Sequence, residues 1–369
     1  MTVEVRTVPG KGRGLFSTRH ISAGESILDE LPVVLTVSHA LKQSYCSVCL
    51  RFIPSEALSA CLCGTCQEAC CCSTGCAAHH NAELCRLLAH LDWTGLNREL
   101  QDSLRLVAQL QCMANDAASR DILQQLSQLA AMPADGPGAQ LLASRLAAVL
   151  QPQQQGLSAE AVQTLMGTEA MNGFGIAAHA SMNAGRDQIR GSVLCLQASM
   201  MNHDCLPNAA RFDDFDSPGE HNNRLSFRAL QDIPAGEEIT HQYFPLDWSL
   251  EERQEQCREV FGFQCNCGRC QVEQQWEAEE NDMEDAEDDF AEPSSSNLKE
   301  CMTETSTDGI DSSYVQMFLL RYLCPLDACG GTLAPIAGTD TQECNRCSHR
   351  RTNAEFLAEL EAEPEDLSD

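Results

Sequence analysis

The spacing of apolar residues divides the chain into β and α segments. Val3, Val5 and Val8 predict a short strand near the start. Residues 21–27 and 233–239 share the pattern Ile-x-Ala-Gly-Glu-x-Ile, in which a tight glycine turn leads into a strand. Because two copies about 200 residues apart do not make a solenoid, they indicate two halves of one β domain that insertions separate.

A helical insertion is predicted over residues 86–170. Leu96 and Leu100 begin a series with helical spacing, residues 133–138 interrupt it, and a second series follows. Ser158 is suited to cap a third helix. The insertion therefore contains several amphipathic helices.

The β pattern returns over residues 171–248, after which the composition changes twice. Ser249 and Glu252 form a capping box for a helix within residues 249–271. The next segment is acidic, rich in serine and poor in apolar residues, which predicts a disordered loop. The remaining predicted segments are an N-terminal β part at 1–45, a cysteine cluster at 46–85, the acidic loop at 272–313, a small module at 314–352 and an acidic tail at 353–369.

Charge and cysteine content narrow the class of protein. The 369 residues contain 54 acidic and 24 basic side chains, a net charge of −30, which argues against nucleic-acid binding and favours basic protein partners. No signal peptide is visible, and the apolar run at 31–37 is too short to span a membrane. We expect a reducing compartment, nucleus or cytoplasm, in which the 22 cysteines bind metal.

Cysteine pairs recur at spacings typical of zinc sites. Ten cysteines lie between residues 46 and 85, and four pairs there can hold two zinc ions in an interleaved arrangement. The alternative is a cluster of reactive thiols. The region resembles a MYND zinc finger, and the resemblance implies one site of Cys46, Cys49, Cys72 and Cys76 and another of Cys63, Cys66, His80 and Cys85. Further candidate ligands in the same region are Cys61, Cys70, Cys71 and His79.

Two more zinc sites are predicted in the second half of the chain. Three cysteines in a C-x-C-x2-C array are one thiolate short of a closed shell, and Cys205 supplies the fourth. The module at 314–352 has the pairs of a zinc ribbon, and docking on the segment at 249–271 is its simplest role. The two sets are Cys205, Cys265, Cys267 and Cys270, and Cys324, Cys329, Cys344 and Cys347.

The string Asn-His-Asp-Cys-Leu-Pro-Asn at 202–208 and the turn and strand that lead to Tyr243 resemble the core of a SET-domain lysine methyltransferase. With the cysteine cluster, residues 1–271 resemble the SET–MYND family. The resemblance implies an α+β chain: a mainly β SET fold of small sheets around a pseudoknot, with an inserted MYND-like finger, a helical insertion and a post-SET zinc site. Here a zinc ribbon stands in place of the helical-repeat domain that many members carry.

The same resemblance implies an S-adenosylmethionine site. The turn at Lys11, Gly12 and Arg13 would approach the methionine part of the cofactor. Asn202 and His203 would bind its adenine and amino acid part through side chains and main chain. Asn172, in an Asn-x-Phe element, would contact the cofactor, and Phe263 would stack on the adenine.

Tyr243 is the predicted catalytic residue, because a phenolic hydroxyl can orient a lysine amine for in-line methyl transfer. The resemblance also places Tyr243 among the residues that contact the cofactor. The alternative for this side chain is a tyrosine packed in the core. The favoured function is methyl transfer to lysine in a protein. The alternative is a noncatalytic zinc-dependent protein that binds peptides at its MYND-like finger. Under either function, the finger is a candidate binding site for peptides of partner proteins.

Overall fold

The structure is a computed structural model that describes residues 2–179, 188–213, 215–216, 223–283, 310–327 and 329–361. The chain divides into two compact units. The first consists of Met1–Asp29, Met200–Phe212 and Ser226–Asp369, and the second of Glu30–Ser199 and Asp213–Leu225.

The strands of the described residues form three sheets. In chain order they are β1 Val3–Val8, β2 Gly12–Ser17, β3 Ser26–Glu30, β4 Val34–Val37, β5 Phe174–Ala177, β6 Ile189–Leu194, β7 Asn202–His203, β8 Ala209–Phe212, β9 Leu225–Ala229, β10 Glu238–His241, β11 Leu333–Pro335, β12 Thr341–Cys344 and β13 Arg350–Thr352.

Most of the helices lie between β4 and β5 or near the C-terminus. They are α1 Leu58–Cys61, α2 Thr74–His79, α3 Ala82–His90, α4 Arg98–Asn115, α5 Arg120–Ser127, α6 Gly136–Val149, α7 Ala159–Asn172, α8 Leu250–Glu259, α9 Gly268–Met283, α10 Ser312–Tyr322 and α11 Asn353–Glu361.

The largest sheet has the order β1-β2-β10-β8-β9-β3, with β7 paired to β10. Strand β10 is antiparallel to β2 but parallel to β7 and β8. The two repeated glycine turns meet here, since Ile21 and Ile233 exchange main-chain hydrogen bonds of 2.9 and 2.8 Å. The sheet confirms the predicted first strand and the two halves of one β domain.

The second unit combines the sheet β4-β6-β5 with the helical insertion. Ser158 caps α7 as predicted, its side chain accepting from the Ala161 amide. The expected break at 133–138 is wrong in part, because α6 already begins at Gly136. Asp135 caps this helix, and Pro137 occupies its first turn, where no amide hydrogen is needed. Leucines and valines of α3, α4, α6 and α7 form the core of this unit.

The C-terminal part departs from prediction in one respect. The capping box of Ser249 and Glu252 is present. Helix α9 continues to Met283, however, so the start of the segment expected to be a disordered loop is helical, and residues 284–309 lie outside the described residues. No helix among the described residues is both long enough and apolar enough to cross a membrane.

The C-terminal module contacts residues outside the post-SET segment at 249–271, on which docking was expected. Trp276 of α9 donates to the Ser312 hydroxyl at 2.7 Å. In addition, Phe318 and Tyr322 of α10 and Ala334 of β11 share an apolar cluster with Leu246 and other residues of the sheet region. The ribbon module is therefore part of the core of the first unit.

Candidate active site and zinc centres

Four groups of cysteine and histidine side chains converge as metal-ligand sets. The ligand atoms of each set lie within 4.8 Å of one another, and neighbouring sulfur atoms are 3.5–3.9 Å apart. Disulfide sulfurs are about 2 Å apart, whereas a zinc tetrahedron with bonds of about 2.3 Å has sulfur atoms about 3.8 Å apart. The geometry fits zinc. The sets contain the predicted members: Cys46, Cys49, Cys72 and Cys76; Cys63, Cys66, His80 and Cys85; Cys205, Cys265, Cys267 and Cys270; and Cys324, Cys329, Cys344 and Cys347.

The structure decides which of the candidate cysteines and histidines in the finger belong to a ligand set. In the second site Cys66 Sγ lies 3.6 Å from His80 Nε2, so the histidine belongs to the set. The ring of His79 instead contacts the Gly75 carbonyl at 2.8 Å. The other spare candidates, Cys61, Cys70 and Cys71, belong to neither set.

The zinc site that joins Cys205 to the C-terminal cysteines is supported by buried arginines. Arg253 is fully buried and lies 3.9 Å from Cys270 Sγ, where its positive charge favours the thiolate. Arg253 and the buried Arg269 both pair with the Glu273 carboxylate. Both also donate to the Trp248 carbonyl, so they tie this zinc site to the segment that follows Tyr243.

Asn202 connects the N-terminal turn to the central strand. Its amide nitrogen donates to the Arg13 carbonyl at 3.0 Å and to Glu238 Oε1 at 2.6 Å. The other Glu238 oxygen is 3.7 Å from Lys11 Nζ. The structure therefore brings together Lys11, Arg13 and Asn202 as expected. Sequence reasoning missed Glu238, whose position in the repeated turn pattern was the only signal.

The His203 side chain lies between Cys205 and Tyr243. Its ring is buried, Nδ1 accepts a hydrogen bond of 3.2 Å from the Tyr243 amide, and Nε2 lies 3.2 Å from Cys205 Sγ. Since Nδ1 accepts, Nε2 carries the proton and donates to the sulfur. Both ring nitrogens thus have partners within the protein, and the ring links a zinc ligand to the main chain of Tyr243. The contact of His203 with the cofactor stays a prediction.

Tyr243 lies two residues beyond the end of β10 and is half-buried. Its hydroxyl donates to the Met201 carbonyl at 3.0 Å. Burial raises the pKa of this phenol above its ordinary value, so the side chain stays protonated at neutral pH. The oxygen still has lone pairs with which to accept a hydrogen bond.

An aromatic wall surrounds the Tyr243 ring. The ring centroid of Phe261 lies 4.6 Å from that of Tyr243. The ring of the predicted Phe263 is farther from its neighbours, at 6.4 Å from Phe261 and 6.2 Å from His203. Phe263 is 37% exposed, so part of this side chain is accessible to solvent. Phe261 was not anticipated, because nothing distinguishes its phenylalanine from Phe263 in the sequence.

The two remaining predicted cofactor residues differ in their setting. Gly12 has φ +83, and a Cβ built there would meet no protein atom within 4 Å, so the space beside this turn is open. Asn172 ends helix α7 in the second unit, where its amide donates to the Ala130 and Thr168 carbonyls at 2.7 and 2.8 Å. Its contact with a cofactor stays a prediction.

Comparison with known proteins identifies the family. The SET domain family matches residues 12–244. The histone-lysine N-methyltransferase ASHR2 of Arabidopsis thaliana is 30% identical over 378 aligned positions, which cover 94% of each chain. The N-lysine methyltransferase SMYD2 of Gallus gallus is 25% identical over 72% of this chain and 59% of its own. The solved structure of Rubisco LSMT bound to AdoMet aligns with 73% of this chain and 53% of its own at 13% identity and a TM-score of 0.38.

Proposed function

The chain belongs to the SET-domain family, and from this we propose that it transfers a methyl group from S-adenosylmethionine to the side-chain amine of lysine in a protein substrate. The ASHR2 relative, which is similar along nearly its whole length, carries the name of a histone-lysine methyltransferase. The observation that carries the proposal is the Tyr243 hydroxyl, which donates to the Met201 carbonyl while its ring packs against Phe261.

The residues fit a bound S-adenosylmethionine. Gly12 leaves room for a ligand to approach the main chain of the turn, and the exposed Phe263 is the side chain proposed to stack on the adenine. Lys11 and Glu238 provide opposite charges beside that turn for the two ends of an amino acid. The main chain of His203 is proposed to contact the cofactor, while its ring Nδ1 accepts a hydrogen bond from the Tyr243 amide.

Methyl transfer requires alignment and a neutral amine rather than a strong base at the site. When bound, S-adenosylmethionine supplies an electrophilic methyl: an S–C bond breaks as an N–C bond forms, and the electron pair stays on sulfur. The Tyr243 hydroxyl donates to Met201, so its lone pairs are left to accept an N–H of the incoming amine. Because burial raises its pKa, the phenol orients the amine and does not deprotonate it. The amine must lose its proton to solvent.

The substrate we propose is a basic segment of a protein. The net charge of −30 attracts such a segment over a distance.

Two further parts of the proposal concern partners and location. The MYND-like finger is proposed to bind peptides of other proteins. The nucleus or the cytoplasm is proposed as the location, because both keep thiols reduced and the sulfur atoms of the four sets are spaced for zinc rather than for disulfides.

Calorimetry followed by a transfer assay tests the function. We expect the full chain to bind one S-adenosylmethionine and to transfer labelled methyl groups to lysine in proteins of a cell lysate. The Tyr243→Phe variant is the matched control, because it should bind the cofactor and transfer little. A folded, zinc-loaded protein that binds no cofactor would instead support the noncatalytic interaction protein.

A further inference from the structure

The residue that precedes Tyr243 is hydrogen-bonded to the C-terminal zinc ribbon. The Gln242 side-chain nitrogen donates to the Thr332 hydroxyl at 2.5 Å. Thr332 is fully buried, and it lies just before β11 of the ribbon. These two residues are 90 positions apart in sequence, so only the docked ribbon brings them together.

Thr332 is in turn fixed by the loop that carries two zinc ligands. Asn345 lies between Cys344 and Cys347, accepts from the Thr332 amide at 2.8 Å and donates its own amide to the Thr332 carbonyl at 3.0 Å. The Asn345 side chain also donates to the Arg211 carbonyl of β8 at 2.8 Å. The ribbon zinc therefore holds Thr332 in register with the sheet.

The peptide between Gln242 and Tyr243 is also connected to the zinc site that contains Cys205. The Tyr243 amide donates to His203, and that ring contacts the zinc ligand Cys205. The peptide between Gln242 and Tyr243 thus has one anchor through His203 and another through Thr332.

We infer that the ribbon is a positioning element for the active site, and that Thr332 is its positioning residue, acting on Tyr243 through Gln242. The Oε1 atom of Gln242 is buried and has no hydrogen-bond partner among the described residues. Without the Thr332 hydroxyl, neither polar atom of this amide would have a partner among the described residues, so the side chain would move to reach water. Such a movement would shift Tyr243. The inference rests on the proposed function for its effect on catalysis.

The test compares Thr332→Val with two matched variants in the full chain. Thr332→Ser keeps the hydroxyl, and Thr341→Val makes the same chemical change at a partly exposed position of the same ribbon. Each protein is measured for zinc content, melting temperature, kcat, the KM for cofactor, and amide hydrogen exchange over residues 240–246.

We expect Thr332→Val to keep its zinc, to lower kcat roughly tenfold with a KM for cofactor within about twofold of the wild type, and to speed exchange of the Tyr243 amide roughly tenfold. Thr332→Ser and Thr341→Val should behave as the wild type. A ribbon that merely stabilises the fold would lower the melting temperature without separating kcat from KM.

Unchanged kcat and unchanged Tyr243 exchange in a folded Thr332→Val protein would overturn the inference while leaving the proposed function intact. A wild type that transfers no methyl group would refute the proposed function, and amide exchange alone then decides whether the ribbon holds Tyr243. If Thr332→Val loses zinc, the variant Gln242→Met removes the same hydrogen bond by replacing its donor. A Tyr243 amide that exchanges in Gln242→Met as fast as in the wild type would also overturn the inference.

Discussion

Replacing Tyr243 by phenylalanine removes one hydroxyl from the site and keeps the ring that packs against Phe261. The lost hydrogen bond is a neutral one of 3.0 Å to the Met201 carbonyl, in a half-buried position. Such a bond contributes about 0.5–1.5 kcal/mol to stability. The fraction of folded protein should therefore change little at room temperature.

The rate should change far more than the stability. Loss of one preorganised polar group at a reacting centre typically lowers kcat about 10²- to 10³-fold, and a hundredfold loss equals about 2.7 kcal/mol of transition-state stabilisation. Cofactor affinity should be nearly unchanged, because the hydroxyl contacts Met201 and the aromatic wall rather than the turn at Gly12.

Tyr322 offers a matched control for this substitution. Its hydroxyl also donates to a main-chain carbonyl at 3.0 Å, that of Leu230, and burial likewise raises its pKa. We expect Tyr322→Phe to lose a comparable amount of stability with full turnover. The assay measures single-turnover transfer of labelled methyl to one lysine substrate. Wild-type turnover in folded Tyr243→Phe would show that Tyr243 is a core tyrosine and that the active site lies elsewhere.

Three other predictions follow from the described residues. The purified chain should contain four zinc ions, one for each ligand set, and elemental analysis that finds one or none in folded protein would refute the architecture. Gly24→Ala should lower the melting temperature clearly more than Gly338→Ala. Both glycines have positive φ, which strains an alanine by about 1–2 kcal/mol. A Cβ at Gly24 would also lie 2.6 Å from the Ala337 nitrogen, whereas the space at Gly338 is open. Equal shifts would show that the ribbon does not pack there. Deleting the acid-rich residues 284–309 should leave the melting temperature unchanged and weaken binding of lysine-rich peptides at low salt, and a large fall in melting temperature would contradict this.

Local chemistry made much of this protein predictable. Three of the four zinc sets are built from pairs of ligands a few residues apart, and the fourth joins a short three-cysteine array to Cys205. Ligands on one turn can reach the same ion wherever that turn lies. The caps at Ser158 and Ser249 bond to amides three residues away, so nearby sequence decides them. The paired glycine turns were visible because they repeat the same seven-residue pattern.

Contacts between distant segments were decided by the tertiary structure. The sequence places histidine beside Asn202 but does not say that its ring reaches from Cys205 to the Tyr243 amide, since parallel pairing of β7 with β10 creates that geometry. Glu238 became a partner of Asn202 and Lys11 for the same reason.

The sequence by itself thus determined the family resemblance, the ligands of the four metal sets and the tyrosine proposed to orient the amine, because these depend on residue type and short spacing. Only the tertiary structure decided which side chains hold that tyrosine. His203, which lies 40 residues before Tyr243, accepts a hydrogen bond from the amide of that tyrosine. Thr332, which lies 90 residues after Gln242, accepts one from the Gln242 side chain. Hydrogen bonds across such separations leave no periodic signal in a sequence, because each depends on how strands pair and how the ribbon docks.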